Sequence, residues 1–301
     1  MDSLNCSITE IKFETITRQH IEAFLEWLET YQNCSVSTRN QRLASLRSFY
    51  SYAANRDITL VTYLQKLEKI PTKKTEKSQE IKYFSEEILK VILEIPNQQN
   101  KREFRNLFFM ILLYDTGARN QEILHIRLKD MHTTITSPYV TLSGKGKKTR
   151  LVPLMEKTIK HYEKYLYLYH SKPTDDDFLF YTLRKGDKGA MSPDNTEKFI
   201  KYYGQFAKAV NQDAPDNLHP HMFRHSRAMH LYRNGMPLPL LAEWLGHSQL
   251  ETTMIYAYAD TKMKQDAIEK ATSALNPLNT AEVSINWQDD EETIKKLYGL
   301  I

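Results

Sequence analysis

Four short stretches in the later two-thirds of the chain collect side chains suited to chemistry on a phosphate diester. In order they are Thr116-Gly117-Ala118-Arg119-Asn120-Gln121-Glu122, then Ser143-Gly144-Lys145-Gly146-Lys147-Lys148-Thr149-Arg150, then His219-Pro220-His221-Met222-Phe223-Arg224-His225, and last Leu245-Gly246-His247. Nine residues after His247 stands Tyr256, in Met254-Ile255-Tyr256-Ala257-Tyr258. Guanidinium forks match phosphate oxygens, imidazole and ammonium groups move protons, and a phenol is a nucleophile once it is relieved of its proton.

Each stretch alone is weak. Gly144-x-Gly146 lacks the third glycine and the preceding context of a dinucleotide loop. His221 and His225 have the i, i+4 spacing of a zinc pair, but there is no HExxH form and no evident third ligand. Taken alone, a buried Arg119 is more often a structural ion-pair partner, and a run such as Lys145–Arg150 is more often a solvated turn. Nothing resembles a phosphate-binding P-loop or a carboxylate cluster for two metals. The ordered set carries the signal.

That set strongly resembles the tyrosine recombinases, also called the phage integrase family, and most closely its Xer-like and mobile-element members. They carry TGxRxxE, a GKGxKxR hairpin, HxxRH, LGH and a tyrosine about nine residues on; all stand here, across roughly Phe84 to Asn276. The resemblance implies a site-specific recombinase with a helical DNA-clamping domain joined to a mixed catalytic domain. Carried over residue by residue, it assigns Arg119 and Arg224 to the non-bridging phosphate oxygens and gives His247 a further hydrogen bond there. Tyr256 becomes the nucleophile, His221 the candidate for its proton, and Lys145 the general acid for the leaving 5′-oxygen. Glu122, one helical turn after Arg119, orients Arg119 or His221. Tyr258 is the alternative nucleophile.

A phenol with a pKa near ~10 needs such a base. Its attack exchanges one phosphodiester for another, so a 3′-phosphotyrosine can be religated without ATP, divalent metal or other cofactor. The competing readings are a type IB-like topoisomerase and a DNA-binding relative that has lost catalysis. The intact Arg, Lys, His, Arg, His, Tyr set argues against loss. The small N-terminal region and the C-terminal tail argue against a topoisomerase.

The 301 residues suffice for two domains with their own cores. A net charge of +4 is mild, but the last stretch is acidic, which leaves the remainder more basic, as a polyanionic partner requires. No apolar run approaches membrane-spanning length, the start MDSLNCSITE has no signal pattern, and only Cys6 and Cys34 occur. A reducing, cytoplasmic setting is expected, with double-stranded DNA as partner and no membrane or metal.

The elements that must position these residues are mainly helical, with a small antiparallel sheet. A helix over Thr17–Tyr31 places Ile21, Phe24, Leu25 and Leu28 on one face. A second, capped by Ser37 or Thr38, carries Leu43, Leu46, Phe49, Tyr50 and Ala53. Arg39, Asn40, Arg42 and Arg47 on that helix lie where they meet phosphates or form its wet face; Lys147, Lys148 and Arg150 are further DNA contacts. A short helix near Leu60–Leu67 closes an all-helical clamp, residues 1–70, that is either shortened or missing an upstream segment. Residues 71–84 are the linker, 85–276 the catalytic domain, and 277–301 a tail. Ser85 caps a helix with Ile88, Leu89, Ile92 and Leu93, and an apolar helix ends at Thr116-Gly117. Tyr139–Leu142 and Arg150–Leu154 are strands joined around Gly144-Lys145-Gly146, in a sheet of about three. The remainder reads as helix, with one over Met263–Ser273. In the tail, Ile294, Leu297, Tyr298 and Ile301 form a stripe too short to be stable alone. It docks on its own body or, as the resemblance implies, on a neighbouring subunit in a homo-oligomer, a tetramer on DNA.

Overall fold

The computed structural model describes residues 11–75 and 81–259, apart from residues 14, 145, 147 and 185. Lys145, Lys147, the expected helix at Met263–Ser273 and the whole tail therefore lie outside the described residues. These fall into two compact units, before and after residue 78.

In the first unit, α1 (Arg18–Thr30) starts at Thr17, whose hydroxyl accepts from the His20 N–H. Helix α2 (Val36–Ala54) starts at Ser35, which accepts from the Thr38 N–H at 3.2 Å. The cap thus falls two residues before Ser37, because Ser35 is the residue in extended conformation. A 3₁₀ turn (Ile58–Leu60) leads into α3 (Val61–Glu68). Ile21, Leu25, Leu28, Leu43, Tyr50, Leu67 and Ile70 form the core. Phe24 and Phe49, expected on the buried stripes, are exposed. The described helices cover less than the full stripe, and these rings stack on Trp27 and Phe13 at the margin.

The polar residues of α2 also differ from expectation. Arg39 is buried and donates from Nη1 to the Pro71 carbonyl at 2.9 Å, with Glu29 3.9 Å from its Nε. The Asn40 amide donates to the Lys73 carbonyl (2.8 Å) and accepts from the Lys73 N–H (3.1 Å). Arg47 donates to the carbonyls of Glu68 and Ile70. All three bind the last carbonyl of α3 or the chain that follows it, where the backbone has no ladder of its own to satisfy it. Arg42 alone of the four is exposed. The first residues of the expected linker are thereby fastened to α2, whereas Phe84, at its far end, is buried in the second unit's core.

In the second unit, Ser85 caps α4 (Glu86–Glu94) and Asn100 caps α5 (Lys101–Thr116). Helix α5 is buried nearly all round, with Phe104, Phe108, Phe109 and Leu112 in the main core. It ends at Gly117, whose φ of +56° favours glycine. After α6 (Asn120–Leu124) come β1 (Met131–His132), β2 (Tyr139–Ser143) and β3 (Thr149–Pro153), an antiparallel sheet in that order with Val140 opposite Val152. Helix α7 (Glu156–Tyr169) follows, with Tyr165 buried and Tyr167 on its outer face.

A second hairpin, β4 (Tyr181–Arg184) with β5 (Asp187–Ala190), stands where mainly helix was expected. Its strands are four residues each, and Asp-Lys-Gly-Ala carries no strand propensity. Four further helices follow among the described residues: α8 (Pro193–Val210), α9 (Pro220–Arg233), α10 (Leu238–Leu245) and α11 (Glu251–Ala259). Pro193 and Pro220 take the first helical position, where no N–H is needed. Among the described residues no helix is long and apolar enough to cross a membrane.

Candidate active site

The four motifs meet where the junction of α5 and α6, strand β3, α9, the end of α10 and α11 come together. Arg119 opens α6. Glu122 reaches back to its backbone N–H (2.8 Å) and accepts from its Nη1 (3.0 Å). The Arg119 side chain stays 45% exposed, while that of Glu122 is 4% exposed. Glu122 also receives both forks of Arg150, Nη1 at 3.0 Å and Nη2 at 2.8 Å. Burial by itself would raise this carboxyl, but the bonds from Arg150 and the Arg119 N–H outweigh it and hold the group at about 2.

Arg150, expected on DNA, is thus turned inward, and its Nε donates to the Trp244 carbonyl at 3.0 Å. Glu122 pairs with Arg119 and Arg150; no described contact joins it to His221. Lys148 is exposed and lines the adjoining groove.

Arg224, on α9, is 1% exposed. Its Nη1 donates to the Gly117 carbonyl, and its Nη2 to the Leu245 carbonyl, each at 2.8 Å. The same Nη2 lies 2.9 Å from His247 Nε2. Burial, then the charge of Arg119, lowers Arg224 to about 10, which leaves it cationic at neutral pH. Arginine only donates, so Nε2 of His247 accepts and its Nδ1 donates to the Thr253 hydroxyl at 2.8 Å. Burial, followed by the charges of Arg224 and Arg119, holds His247 at about 4. In this arrangement its Nε2 is an acceptor; donating to a phosphate requires that nitrogen to take up a proton.

Tyr256, on α11, is 1% exposed and packs with Ala228, Met229, Leu241 and Leu245. Its hydroxyl lies 3.0 Å from Nδ1 of His225. Burial pushes the phenol up to about 12 despite the opposing pull of Arg224 and Arg119. Burial, then the neighbouring His221 and Arg224, holds His225 at about 4. The histidine on the hydroxyl is therefore His225. His221, expected in that place, sits beside it with ring centroids 4.4 Å apart. Tyr258, two residues on, points to the exposed side of the helix.

Sequence reasoning passed over His225 and Thr253. A signal for the first was present, since His221 and His225 share one face of α9 and either can serve a tyrosine beside it. No local signal marks Thr253.

Comparison with known proteins matches this architecture. The phage integrase family profile matches residues 82–263, and that of the phage integrase N-terminal SAM-like domain matches residues 6–60. The chain belongs to the phage integrase family, the tyrosine recombinases. Among curated relatives, it is 29% identical over 262 residues to a tyrosine recombinase of Pseudothermotoga lettingae, covering 87% of this chain and 84% of the relative. It is 27% identical over 265 residues to a putative integrase/recombinase, y4rC, of Sinorhizobium fredii, covering 88% and 78%. Among solved structures, the fold is shared with the XerH site-specific recombinase bound to palindromic difH substrate (TM-score 0.64, 24% identity, 88% of this chain and 73% of that one). It is shared also with the Tn1549 transposon integrase in complex with circular intermediate DNA (TM-score 0.60, 18% identity, 88% of each chain).

Proposed function

We propose that this chain, as a site-specific tyrosine recombinase, cleaves and rejoins double-stranded DNA through Tyr256. The Tyr256 oxygen forms a bond to the scissile phosphorus as the bond to the 5′-oxygen breaks. The phenolic proton passes to His225, and Lys145 supplies a proton to the departing 5′-oxygen. Arg119 and Arg224 take the charge that gathers on the non-bridging oxygens. His247 adds a bond there once its Nε2 is protonated, which the incoming phosphate favours by drawing its pKa upward. Religation runs the same steps backwards onto a new 5′-hydroxyl, so phosphodiester bond energy is conserved.

The observation that carries this reading is the meeting of Arg224, His247 and the His225–Tyr256 pair within one cluster, drawn from three separated motifs. In this arrangement a phenol held near 12 faces an imidazole held near 4, a poor match for proton transfer. Tyr256 is also covered by Leu241 and Leu245, so attack requires α11 to bring the hydroxyl out to the phosphate. The test is a nicked suicide duplex whose cleaved fragment diffuses away. A DNA-linked peptide containing Tyr256 supports the reading; no covalent adduct, or one on another residue, rejects the assignment.

The same proposal includes assembly through the tail. An open groove of about 1250 Å³ includes Arg119 and His247 of the site, and Leu151, Met155, Leu231, Met236 and Leu240 are the apolar part of its lining. Its apolar wall suits the stripe of Ile294, Leu297, Tyr298 and Ile301 from a neighbouring subunit. A chain ending at Asn276 then binds a half-site but loses cooperative binding to a full site; undiminished cooperativity contradicts the assembly.

A further inference from the structure

Three glycines of three different motifs give way to one cluster. A Cβ on Gly117 would stand 2.5 Å from the ring of Trp244, inside any real contact, and the residue's φ is +56°. A Cβ on Gly144 would stand 3.3 Å from Oε1 of Glu122. A Cβ on Gly246, where φ is +67°, would stand 3.1 Å from Cδ and Nη1 of Arg150. The close approach in each case is to Trp244, Glu122 or Arg150, and Arg150 is bonded to the other two.

The bonds define what Arg150 does. Its two forks fill both oxygens of Glu122, the same oxygens that hold the backbone N–H and Nη1 of Arg119. Its Nε takes the carbonyl of Trp244, while Arg224 takes the carbonyl of the next residue, Leu245. These carbonyls end α10, where no intrahelical donor remains for them. Two arginines thus fasten adjacent carbonyls one and two positions before Gly246-His247. Arg150, unlike Arg224, already holds a carboxylate with both forks and a carbonyl with its Nε, so its charge is met within the protein.

We infer that Arg150 is a positioning residue for strand cleavage: it fixes Glu122, and through it Arg119, and ties strand β3 to the end of α10 that presents His247. The inference rests on the proposed role of Arg119 at the scissile phosphate. Its prediction is specific, because a fork that holds a carboxylate and a carbonyl at once cannot be replaced by a single ammonium.

The test uses the full chain in single-turnover cleavage of the nicked duplex, with an ordinary, a methylphosphonate or a 5′-bridging sulfur linkage at the scissile position. Methylphosphonate removes the charge that Arg119 must meet; sulfur removes the need for a proton on the leaving group. Arg150→Gln is expected to slow ordinary cleavage by about 10²-fold at saturating DNA, the scale of a roughly 1 Å misplacement, while half-saturation stays within about twofold. Arg150→Lys restores at most part of the rate. Methylphosphonate narrows the defect as it does for Arg119→Ala, and sulfur does not. In the Arg119→Ala background Arg150→Gln adds far less than the about 10²-fold it costs alone, the remainder being its hold on the end of α10.

A wild-type rate in Arg150→Gln overturns the inference. So does a loss confined to DNA affinity, full rescue by lysine, or a defect that methylphosphonate leaves intact. If the glutamine variant does not fold, Arg150→Lys carries the same comparison, and collapse of both shows a structural role alone. Absence of any adduct in the wild-type chain instead rejects the recombinase mechanism, which separates the two failures.

Discussion

Arginines of the two units look alike in sequence and differ in what their forks already hold. In the first unit Arg39 and Arg47 spend themselves on carbonyls at the end of α3 and after it, joined by Asn40, so a row expected on phosphate is an internal fastening. In the second unit Arg224 is more deeply buried and is likewise bound to carbonyls, yet it lies beside His247 and contributes charge to Tyr256. Arg119 keeps a half-exposed guanidinium supported from behind by Glu122. An arginine's role is thus decided by the donors left over and by what stands next to it. Charge and helical position alone do not decide it.

The sharpest way to break that contrast is to remove one arginine from each unit. Arg119→Ala should lower the rate of covalent adduct formation by about 10²–10³-fold with little change in melting temperature, since it withdraws a proposed transition-state donor from an exposed position. Lys145→Ala is expected to lose about 10²–10⁴-fold on ordinary DNA and to recover most of it when the leaving atom is sulfur. Equal defects on both substrates would leave Lys145 as a phosphate contact. Arg39→Met should do the reverse of Arg119→Ala, costing about 1–3 kcal/mol in denaturant unfolding of the first unit through unpaired carbonyls. Its cleavage rate at saturating DNA should match wild type.

Smaller effects sharpen the comparison further. His225 and His247 are held near 4 in the fold, below the ordinary value of about 6.5 for an imidazole. Between those values the unfolded chain binds more protons, so their contribution is complete above about pH 6.5 and is lost as pH falls toward 4. Melting temperature should therefore drop between pH 7.5 and 5, and drop less in His247→Gln. The smallest change belongs to Arg42, exposed among fastened neighbours. Arg42→Ala should leave melting unchanged and, if this residue is a phosphate contact, reduce the salt slope of DNA binding by about one.

Residue types and order made the chemistry legible before the fold. Arg119, Arg224, His247 and Tyr256 stand in one cluster, and the caps at Ser85 and Gly117 fall where side-chain and backbone preferences place them. Pairings across long separations were not legible. Arg150 with Glu122 and Trp244, and His225 with Tyr256, lie 28, 94 and 31 residues apart, and periodicity reports only neighbours on one element. The inward turn of Arg39 is of the same kind, since its partner carbonyl is 32 residues on. The β4–β5 hairpin was hidden for a different reason, its strands being too short to show alternation.

Tyr256, seated on His225 beside the arginine pair, is the proposed nucleophile. Wild type, Tyr256→Phe and Tyr258→Phe should be compared on the same nicked suicide duplex, with adducts resolved under denaturing conditions and DNA binding measured in parallel. The account predicts denaturant-resistant protein–DNA adducts for wild type and Tyr258→Phe. It predicts none for Tyr256→Phe, which loses one hydroxyl and keeps its DNA affinity. An adduct formed by Tyr256→Phe at the wild-type level would contradict the account and move the nucleophile elsewhere.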